Sequence, residues 1–472
     1  GALGIALTLV DEQVKNSGFR GIDIYKQEIP VVSEVCDICN NSCKISVAKI
    51  NGEKVAYGFL CGRDYDTQQY VNNKISGFDL LNQRKKIETF VTSSPAKNSK
   101  NEKNDFTIGI PAALHLFEDL SFWKYFFDSV GVKTVTSSSC KGAVKRGKNL
   151  SETEFCAPAT AMYGHVEYLM GKSDYIFLPY YLENKSKTGR RQYCYYTQYI
   201  PTIMAKYNRK KILRPLIKYL YTNFYTKLEL YKMLKSIGAD ISFFDISSAY
   251  DKAWDYKQLR EEEFKKTYTK EIENSNDVNV VFLGRPYTIL SSEMNSGIPG
   301  IFSALGIKTF YQDMVSYTKE DIQTILPLLS DIHWNYPAAI LSAAEKIAKT
   351  PNVYPVFITS FKCSPDSFGL KYFKELMDKH EKPYLILELD EHDSSVGYET
   401  RIEAAVRAFT NHSNQAEKSP KQIPNQTPDQ VIGQAQGSFE PRFTSDLDKK
   451  TIIFPKFLNV FLNKAFFFNL KM

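Results

Sequence analysis

The chain has 472 residues, of which 43% are hydrophobic and 24% are charged, and its 60 basic and 53 acidic side chains give a formal charge of +7. This length exceeds what a single hydrophobic core organises, so we expect several domains. So small a charge on so long a chain does not indicate nucleic-acid binding, no apolar run reaches the roughly 20 residues that cross a bilayer, and the N-terminus lacks the pattern of a secretory signal. We therefore expect a cytoplasmic protein with no nucleic-acid or membrane partner.

The N-terminal residues 1–30 are predicted to be the end of a preceding domain and a connector. The first seven residues, Gly1–Leu7 (GALGIAL), have the character of a helix that lacks a cap, and the first residue is Gly rather than Met. This pattern favours a chain that continues from an upstream domain.

A cysteine-rich module is predicted for residues 31–91. Three cysteines lie two and three residues apart, and a fourth follows seventeen residues later: Cys36, Cys39, Cys43 and Cys61. Between them, Lys44–Phe59 alternates apolar and polar residues around an Asn-Gly pair, which predicts a β-hairpin that returns the fourth cysteine to the first three. We therefore predict that these four cysteines bind one metal centre.

The type of metal follows less directly from the spacing. Zinc and a [4Fe–4S] cluster both accept four cysteinates. Zinc sites usually pair their ligands as two CxxC motifs, whereas a compact triad with one distant cysteine is more typical of clusters. The spacing favours an iron–sulfur cluster and leaves zinc open.

The middle of the chain is predicted to form two Rossmann-like lobes. After a polar linker at 92–105, we place a first α/β lobe at 106–200, a charged helical connection at 201–275 and a second α/β lobe at 276–409. Short, continuously apolar segments alternate with amphipathic helical segments, which is typical of buried parallel sheets. The predicted strands include Phe106–Ile110, Tyr175–Leu178, Val280–Leu283, Val356–Thr359 and Leu385–Leu389.

The C-terminal part differs in composition. Residues 410–437 are rich in Asn, Gln, Pro and Ser and have almost nothing to bury, so we predict a disordered linker. Residues 438–472 are too short for a domain and are predicted to be the truncated start of a following one.

Three single cysteines occupy positions where functional residues gather in α/β proteins. Cys156 directly precedes a predicted helix, whose N-terminus would lower the pKa of the thiol. Cys194 and Cys363 lie in loops after strands, where the carboxyl ends of a sheet present functional groups. Each could equally be a small buried hydrophobic residue. Arg285, in the turn after a strand, is a candidate anion-binding residue or a surface ion-pair partner.

Several motifs together resemble the large activase-related proteins of the 2-hydroxyacyl-CoA dehydratase system. The resemblance covers most of 1–409, in the expected order. Its motifs are Cys36-x2-Cys39-x3-Cys43 with Cys61-Gly62-Arg63, Ile108–Ala113 (IGIPAA), Cys156–Pro158, Gly164–Glu167 (GHVE), Gly284–Tyr287 (GRPY), Asn295–Pro299, and Ser360–Cys363 with Asp366.

The resemblance implies an iron–sulfur redox protein, with ATP hydrolysed in upstream domains of the same polypeptide. It also implies a dehydratase or reductase component as partner, and acyl-CoA as a further one. By the same likeness, Cys156, Cys194 and Cys363 would hold a second cluster between the lobes, with His165 and Glu167 nearby. The sequence departs from the family at Pro179, where Tyr180 and Tyr181 follow instead of a cysteine. The second cluster would then have three protein ligands, be altered or be absent.

Two other functions stay open from the sequence. One is a zinc-stabilised, non-redox module that binds an acyl-CoA or a protein partner. The other is a 2-hydroxyacyl-CoA dehydratase-like lyase, because two lobes with three cysteines also resemble the dehydratase subunits. The leading hypothesis is the cluster-bearing part of an ATP-dependent activator or reductase that transfers low-potential electrons.

Overall fold

A computed structural model of the chain describes residues 22–35, 44–50, 52–57, 78–92, 105–151, 155–186, 189–207, 211–218, 222–273, 275–389 and 395–418. These described residues all belong to one compact unit. The four predicted metal ligands Cys36, Cys39, Cys43 and Cys61 lie outside them, so their metal site stays a prediction.

The N-terminal described residues form a small antiparallel sheet. Lys44–Ile50 pairs with Glu53–Tyr57 in the predicted hairpin, whose turn includes Gly52 at a φ of 88°. A left-handed conformation of this kind suits glycine, which has no Cβ. In order, the elements are a 3-10 helix (Ile22–Lys26), β1 (Val31–Val35), β2 (Lys44–Ile50) and β3 (Glu53–Tyr57).

The next helix, α1 (Leu80–Thr92), packs on the second lobe, although the sequence placed it in the cysteine-rich module. The ring of Phe78, just before it, lies 4.9 Å from the ring of Phe310. Both guanidinium Nη atoms of Arg84 donate to the carboxylate of Asp313 at 2.7 Å. The apolar residues at the start of this helix therefore pack into the core of the second lobe.

The first lobe is built on a parallel four-stranded sheet, whose strands lie in the order Ile212–Leu213, Tyr175–Phe177, Thr107–Ile110 and Lys133–Thr136. Its central strands are continuously apolar and buried, as strands covered on both faces must be. Its elements are β4 (Thr107–Ile110), α2 (Leu114–Glu118), α3 (Leu120–Ser129), β5 (Lys133–Thr136), α4 (Ala143–Leu150), α5 (Ala157–Met170), β6 (Tyr175–Phe177), β7 (Tyr180–Tyr181), β8 (Glu183–Ser186), β9 (Gly189–Gln192), α6 (Tyr195–Met204), β10 (Ile212–Leu213) and β11 (Leu216–Ile217).

The segment after residue 200 is not wholly helical, which differs from the prediction. Ile212 and Leu213 pair with β6, and both are buried, so this short strand extends the first lobe's sheet. The helical part consists of α7 (Asn223–Ser236) and α8 (Phe243–Glu273). Tyr250 of α8 belongs to the first lobe's core and Phe264 to that of the second lobe, so one long helix packs across both lobes.

The second lobe repeats the architecture, with parallel strands in the order Lys308–Tyr311, Asn279–Gly284, Val353–Ser360 and Leu385–Leu389. Its elements are β12 (Asn279–Gly284), α9 (Pro286–Ile289), α10 (Ile298–Ala304), β13 (Lys308–Tyr311), 3-10 helices at Gln312–Met314 and Gln323–Ile325, α11 (Leu326–Asp331), α12 (Asn335–Ala348), β14 (Val353–Ser360), α13 (Ser364–Lys379), β15 (Leu385–Leu389) and α14 (Ser395–Lys418). The predicted α/β fold with parallel sheets is thus confirmed.

Helix α14 continues to Lys418, beyond residue 410, where the sequence predicted a linker to begin. Its last turns make specific contacts with β14 and the turn before it. The ring of Phe409 stacks on Tyr354 at 4.6 Å, and Ser413 donates a hydrogen bond to Asn352 at 2.7 Å. These contacts stabilise helix in a segment of polar composition. Within the described residues, the helices include none with the length and apolar character needed to span a membrane.

Candidate functional site

The three single cysteines Cys156, Cys194 and Cys363 occupy equivalent positions in three helices. Each is the N-cap residue, with extended backbone, of a helix that runs away from it: α5, α6 and α13 respectively. In each case the cysteine carbonyl accepts the first helical hydrogen bond, from Thr160, Gln198 and Ser367. The positive end of three helix dipoles is therefore directed toward the same three thiols.

These thiols line one cavity of about 190 Å³ between the lobes. The first lobe contributes the loop after β4 and the N-termini of α5 and α6, and the second lobe contributes the loops after β12 and β14. Parallel sheets present ligand-binding loops at these carboxyl edges. The lining residues are Leu114, Cys156, Pro158, Cys194, Tyr195, Tyr196, Arg285, Tyr287, Thr288, Trp334, Ser360, Lys362, Cys363, Ser364, Pro365 and Asp366.

Close helix packing fixes the helix that carries Cys156. Helices α4 and α5 cross where Gly147 and Gly164 leave no side chain between them. A Cβ on Gly147 would lie 1.9 Å from the carbonyl oxygen of Thr160, and one on Gly164 would lie 2.1 Å from that of Ala143. Only glycine permits this approach.

Two residues in the cavity wall have strained backbones. Leu114 has a φ of 45° and Lys362 has a φ of 65°. Residues with a Cβ rarely adopt this left-handed backbone conformation. Lys362 forms the turn that takes the chain from β14 into the N-cap Cys363. Strain of this kind concentrates at functional sites, where the surrounding packing maintains it.

A buried ion pair forms the polar part of the cavity wall. Arg285 donates to Asp366 through Nη2 at 2.7 Å and through Nε at 3.0 Å, and its Nη1 donates to the Tyr287 hydroxyl at 3.1 Å. Thr359 donates a further hydrogen bond to Asp366 at 3.0 Å. Arg285 is 4% exposed and Asp366 is 1% exposed, so the surface ion pair considered from the sequence is instead internal.

Cys156 differs from expectation in its acidity, because burial raises the pKa of its thiol to about 11. Burial also raises the pKa of the Cys363 thiol. Arg285 acts in the opposite direction on both, and Asp366 opposes Arg285. A metal bound by Cys156 and Cys363 must displace the protons that burial favours.

The departure from the family at Pro179 has a structural explanation. Tyr181 is fully buried in the first lobe, where Trp123 Nε1 donates to its hydroxyl and the hydroxyl donates to Asp119, both at 2.8 Å. The hydroxyl of Tyr180 bonds to Thr202 at 2.7 Å. Neither tyrosine lines the cysteine cavity, so this position supplies no fourth ligand.

The possible metal ligands of this cavity are three thiols from three different helices. Within the described parts of the chain, no three His, Cys, Asp or Glu side chains are grouped so that they could hold one metal ion. The three thiols instead surround a common space at the meeting point of three helix N-termini. Cysteine thiolates are the usual protein ligands of iron–sulfur clusters, so the chemistry of these donors is compatible with such a group.

Two other predicted residues lie away from this cavity. The imidazole Nδ1 of His165 is 2.7 Å from Ser137 Oγ, and burial lowers the pKa of this histidine to about 4. It borders a different cavity of about 540 Å³. Glu167 is exposed and pairs with Arg146 at 3.1 Å. The structure therefore gives these two residues structural contacts and no place at the cysteine site.

Sequence reasoning did not find Trp334, Tyr195 and Tyr196, which complete the cavity. Trp334 precedes α12 and forms a parallel bridge with Gln192 of β9, so it lies where the lobes meet. No local pattern marks it, because its position depends on contact between segments more than 140 residues apart.

Comparison with known families gives one match. Residues 107–315 match the model of the CoA enzyme activase uncharacterised domain (DUF2229). The matched region begins at β4 and ends after β13, so it includes Cys156, Cys194 and Arg285 but not Cys363. No curated protein matches the chain. The match supports a function related to enzyme activation. Residues 107–315 are thus similar to a domain of CoA enzyme activases, which supports a relationship to the activase-related family of the 2-hydroxyacyl-CoA dehydratase system.

Proposed function

We propose that this chain is the cluster-bearing part of an ATP-dependent activator or reductase, and that Cys156, Cys194 and Cys363 bind an iron–sulfur cluster between its lobes. The observation that carries this proposal is the convergence of three thiols on one cavity from three separate helices. Cysteines that served only as small buried residues would not be expected to line one common cavity.

The electrostatics of the cavity support an anionic occupant. Three helix N-termini and the buried guanidinium of Arg285 direct positive charge toward it, with Asp366 as the only carboxylate among its lining residues. Three thiolates bring negative charge that this field stabilises. When bound, an iron–sulfur cluster would supply one-electron chemistry at low potential.

The chain's own residues have defined roles in this proposal. The three cysteines bind the irons, the close crossing at Gly147 and Gly164 keeps Cys156 in place, and Lys362 sets the direction of Cys363. The apolar walls, which include Leu114 and Trp334, limit the access of water. Among the described residues, the lining of the cavity includes these three thiols and no fourth.

The N-terminal cysteines would complete the electron path. Cys36, Cys39, Cys43 and Cys61 are proposed to hold a [4Fe–4S] cluster that passes electrons to the inter-lobe site. ATP hydrolysis is assigned to ATPase domains outside this chain. The family relationship supports a dehydratase component or another CoA-related enzyme as the partner that receives the electrons.

Anaerobic purification of the chain tests this function. We expect brown protein that contains iron and acid-labile sulfide and gives an electron paramagnetic resonance signal after reduction with dithionite. Colourless protein with stoichiometric zinc would contradict it and favour a non-redox module. Turnover of a 2-hydroxyacyl-CoA by the isolated chain with an external reductant would instead assign the chain to the dehydratases.

A further inference from the structure

The ion pair between Arg285 and Asp366 lies at an unusual location. It is almost entirely buried, and both partners line the cavity that holds the three thiols. A buried ion pair is expensive to desolvate and seldom more stable than well-packed apolar residues. Its presence in an otherwise largely apolar wall therefore calls for a role beyond packing.

The geometry connects the pair directly to one of the thiols. Asp366 lies in the first turn of α13, whose N-cap residue is Cys363, and Arg285 is the N-cap residue of α9, directly after β12. Three hydrogen bonds from Nε and Nη2 fix the guanidinium against the carboxylate, and Thr359 and Tyr287 hold the two ends. The direction of this dipole is thus fixed relative to the cavity.

The two partners place opposite charges at the wall of the cavity. The guanidinium of Arg285 favours negative charge on the thiols, and the carboxylate of Asp366 opposes it. Asp366 and neighbouring groups also keep the arginine charged, since they raise its pKa although burial alone would lower it. The pair therefore presents one fixed positive and one fixed negative charge to the cavity.

We propose that Arg285 raises the reduction potential of the inter-lobe site and that Asp366 lowers it. This inference rests on the proposed function. Each electron that enters the site adds one negative charge to the cavity. A positive charge favours that step and a negative charge opposes it, and in a buried site both effects are strong because little water screens them. Arg285 and Asp366 are positioning residues that touch no iron.

Potentiometric titration of the full chain, followed by electron paramagnetic resonance, tests the proposal. The parent for this experiment has Cys36, Cys39, Cys43 and Cys61 replaced by Ser, so that only the inter-lobe site contributes. In this parent, Arg285→Gln is expected to make the potential more negative and Asp366→Asn to make it less negative. Arg285→Lys keeps the charge and is expected to lie closer to the parent than Arg285→Gln.

A matched pair outside the cavity provides the control. Arg84 and Asp313 form a similar two-pronged ion pair, and neither lines the cysteine cavity. Arg84→Gln and Asp313→Asn are expected to leave the potential unchanged. Disruption of packing alone would shift both cavity variants in the same direction or remove iron from both, and either result would overturn the proposal.

The remaining outcomes distinguish a failure of the proposed function from a failure of the proposed role of the ion pair. A parent that binds no iron overturns the proposed function itself. If the parent binds iron but neither substitution changes its reduction potential, only the proposed role of the ion pair is overturned. If Arg285→Gln alone loses iron, the other two variants still test the proposal. It predicts a less negative potential for Asp366→Asn and retained iron in Arg285→Lys. If either prediction fails, the effect is not one of charge.

Discussion

The hydroxyl of Tyr336 in the second lobe donates a hydrogen bond to Glu118 Oε2 in the first lobe, at 3.1 Å. Glu118 borders two cavities, of about 260 and about 540 Å³, and burial raises its pKa to about 7. Lys257 and Tyr336 act to lower that pKa, whereas Asp119 and Asp313 raise it. The contact between the lobes therefore includes a carboxyl group that titrates near neutral pH.

This arrangement predicts the pH dependence of stability. Since the pKa of Glu118 is higher in the folded than in the unfolded chain, its contribution is intact below about pH 4.5 and is lost as the pH rises to about 7. Glu118→Gln removes the titration and is expected to raise the free energy of unfolding at pH 8 by on the order of 3 kcal/mol, with little effect at pH 4.5. Urea unfolding at both pH values measures this difference.

Glu375→Gln is the control for that experiment, because Glu375 is largely exposed. It is expected to change stability little at either pH. A gain from Glu118→Gln that is the same at both pH values would show that the carboxyl group does not titrate in this range.

The buried hydroxyl of Tyr181 predicts a second effect on stability. Tyr181→Phe leaves Trp123 Nε1 without its acceptor and removes a donor from Asp119. Because both partners are buried, we expect a loss of about 1–3 kcal/mol in the free energy of unfolding. The neighbouring Tyr180→Phe affects a more exposed hydroxyl and is expected to cost less than about 1 kcal/mol. Equal losses in the two variants would contradict the buried network.

The close crossing of α4 and α5 predicts a steric effect. In Gly147→Ala the new methyl group would lie 1.9 Å from the Thr160 carbonyl oxygen, so the helices must move apart. We expect a loss of roughly 1–3 kcal/mol or more in stability, measured by urea unfolding. Gly171→Ala meets no atom within 4 Å and is the control, with stability unchanged or raised by less than about 1 kcal/mol. Comparable stability of the two variants would mean that the helices do not cross this closely.

The sequence predicted five of the eight strands of the two parallel sheets, because continuous apolar segments such as Val280–Leu283 and Val356–Thr359 mark buried parallel strands. It missed Lys133–Thr136 and Lys308–Tyr311. It also missed Ile212–Leu213, whose two residues form a strand only because β6 lies beside them. It also placed the end of the last helix too early, since contacts of Phe409 and Ser413 with the second lobe override a polar composition.

The candidate site could be predicted only in part, for a similar reason. The position of a cysteine before a helix, as at Cys156, is a local pattern. That Cys156, Cys194 and Cys363 face one cavity depends on how the two lobes meet, and composition carries no signal for it. The predicted lowering of the Cys156 pKa was wrong, because burial, which the sequence does not reveal, raises it.

The most direct test is the iron and sulfide content of the chain after Cys36, Cys39, Cys43 and Cys61 have been replaced by Ser, with and without Cys156→Ser. We predict about four irons and four sulfides per chain before the additional substitution, as in a [4Fe–4S] cluster, and loss of most of them after it. Cys140→Ser, which alters a buried thiol outside the cavity, should retain them. A parent chain without iron, or iron that is unaffected by Cys156→Ser, would contradict an iron–sulfur site between the lobes.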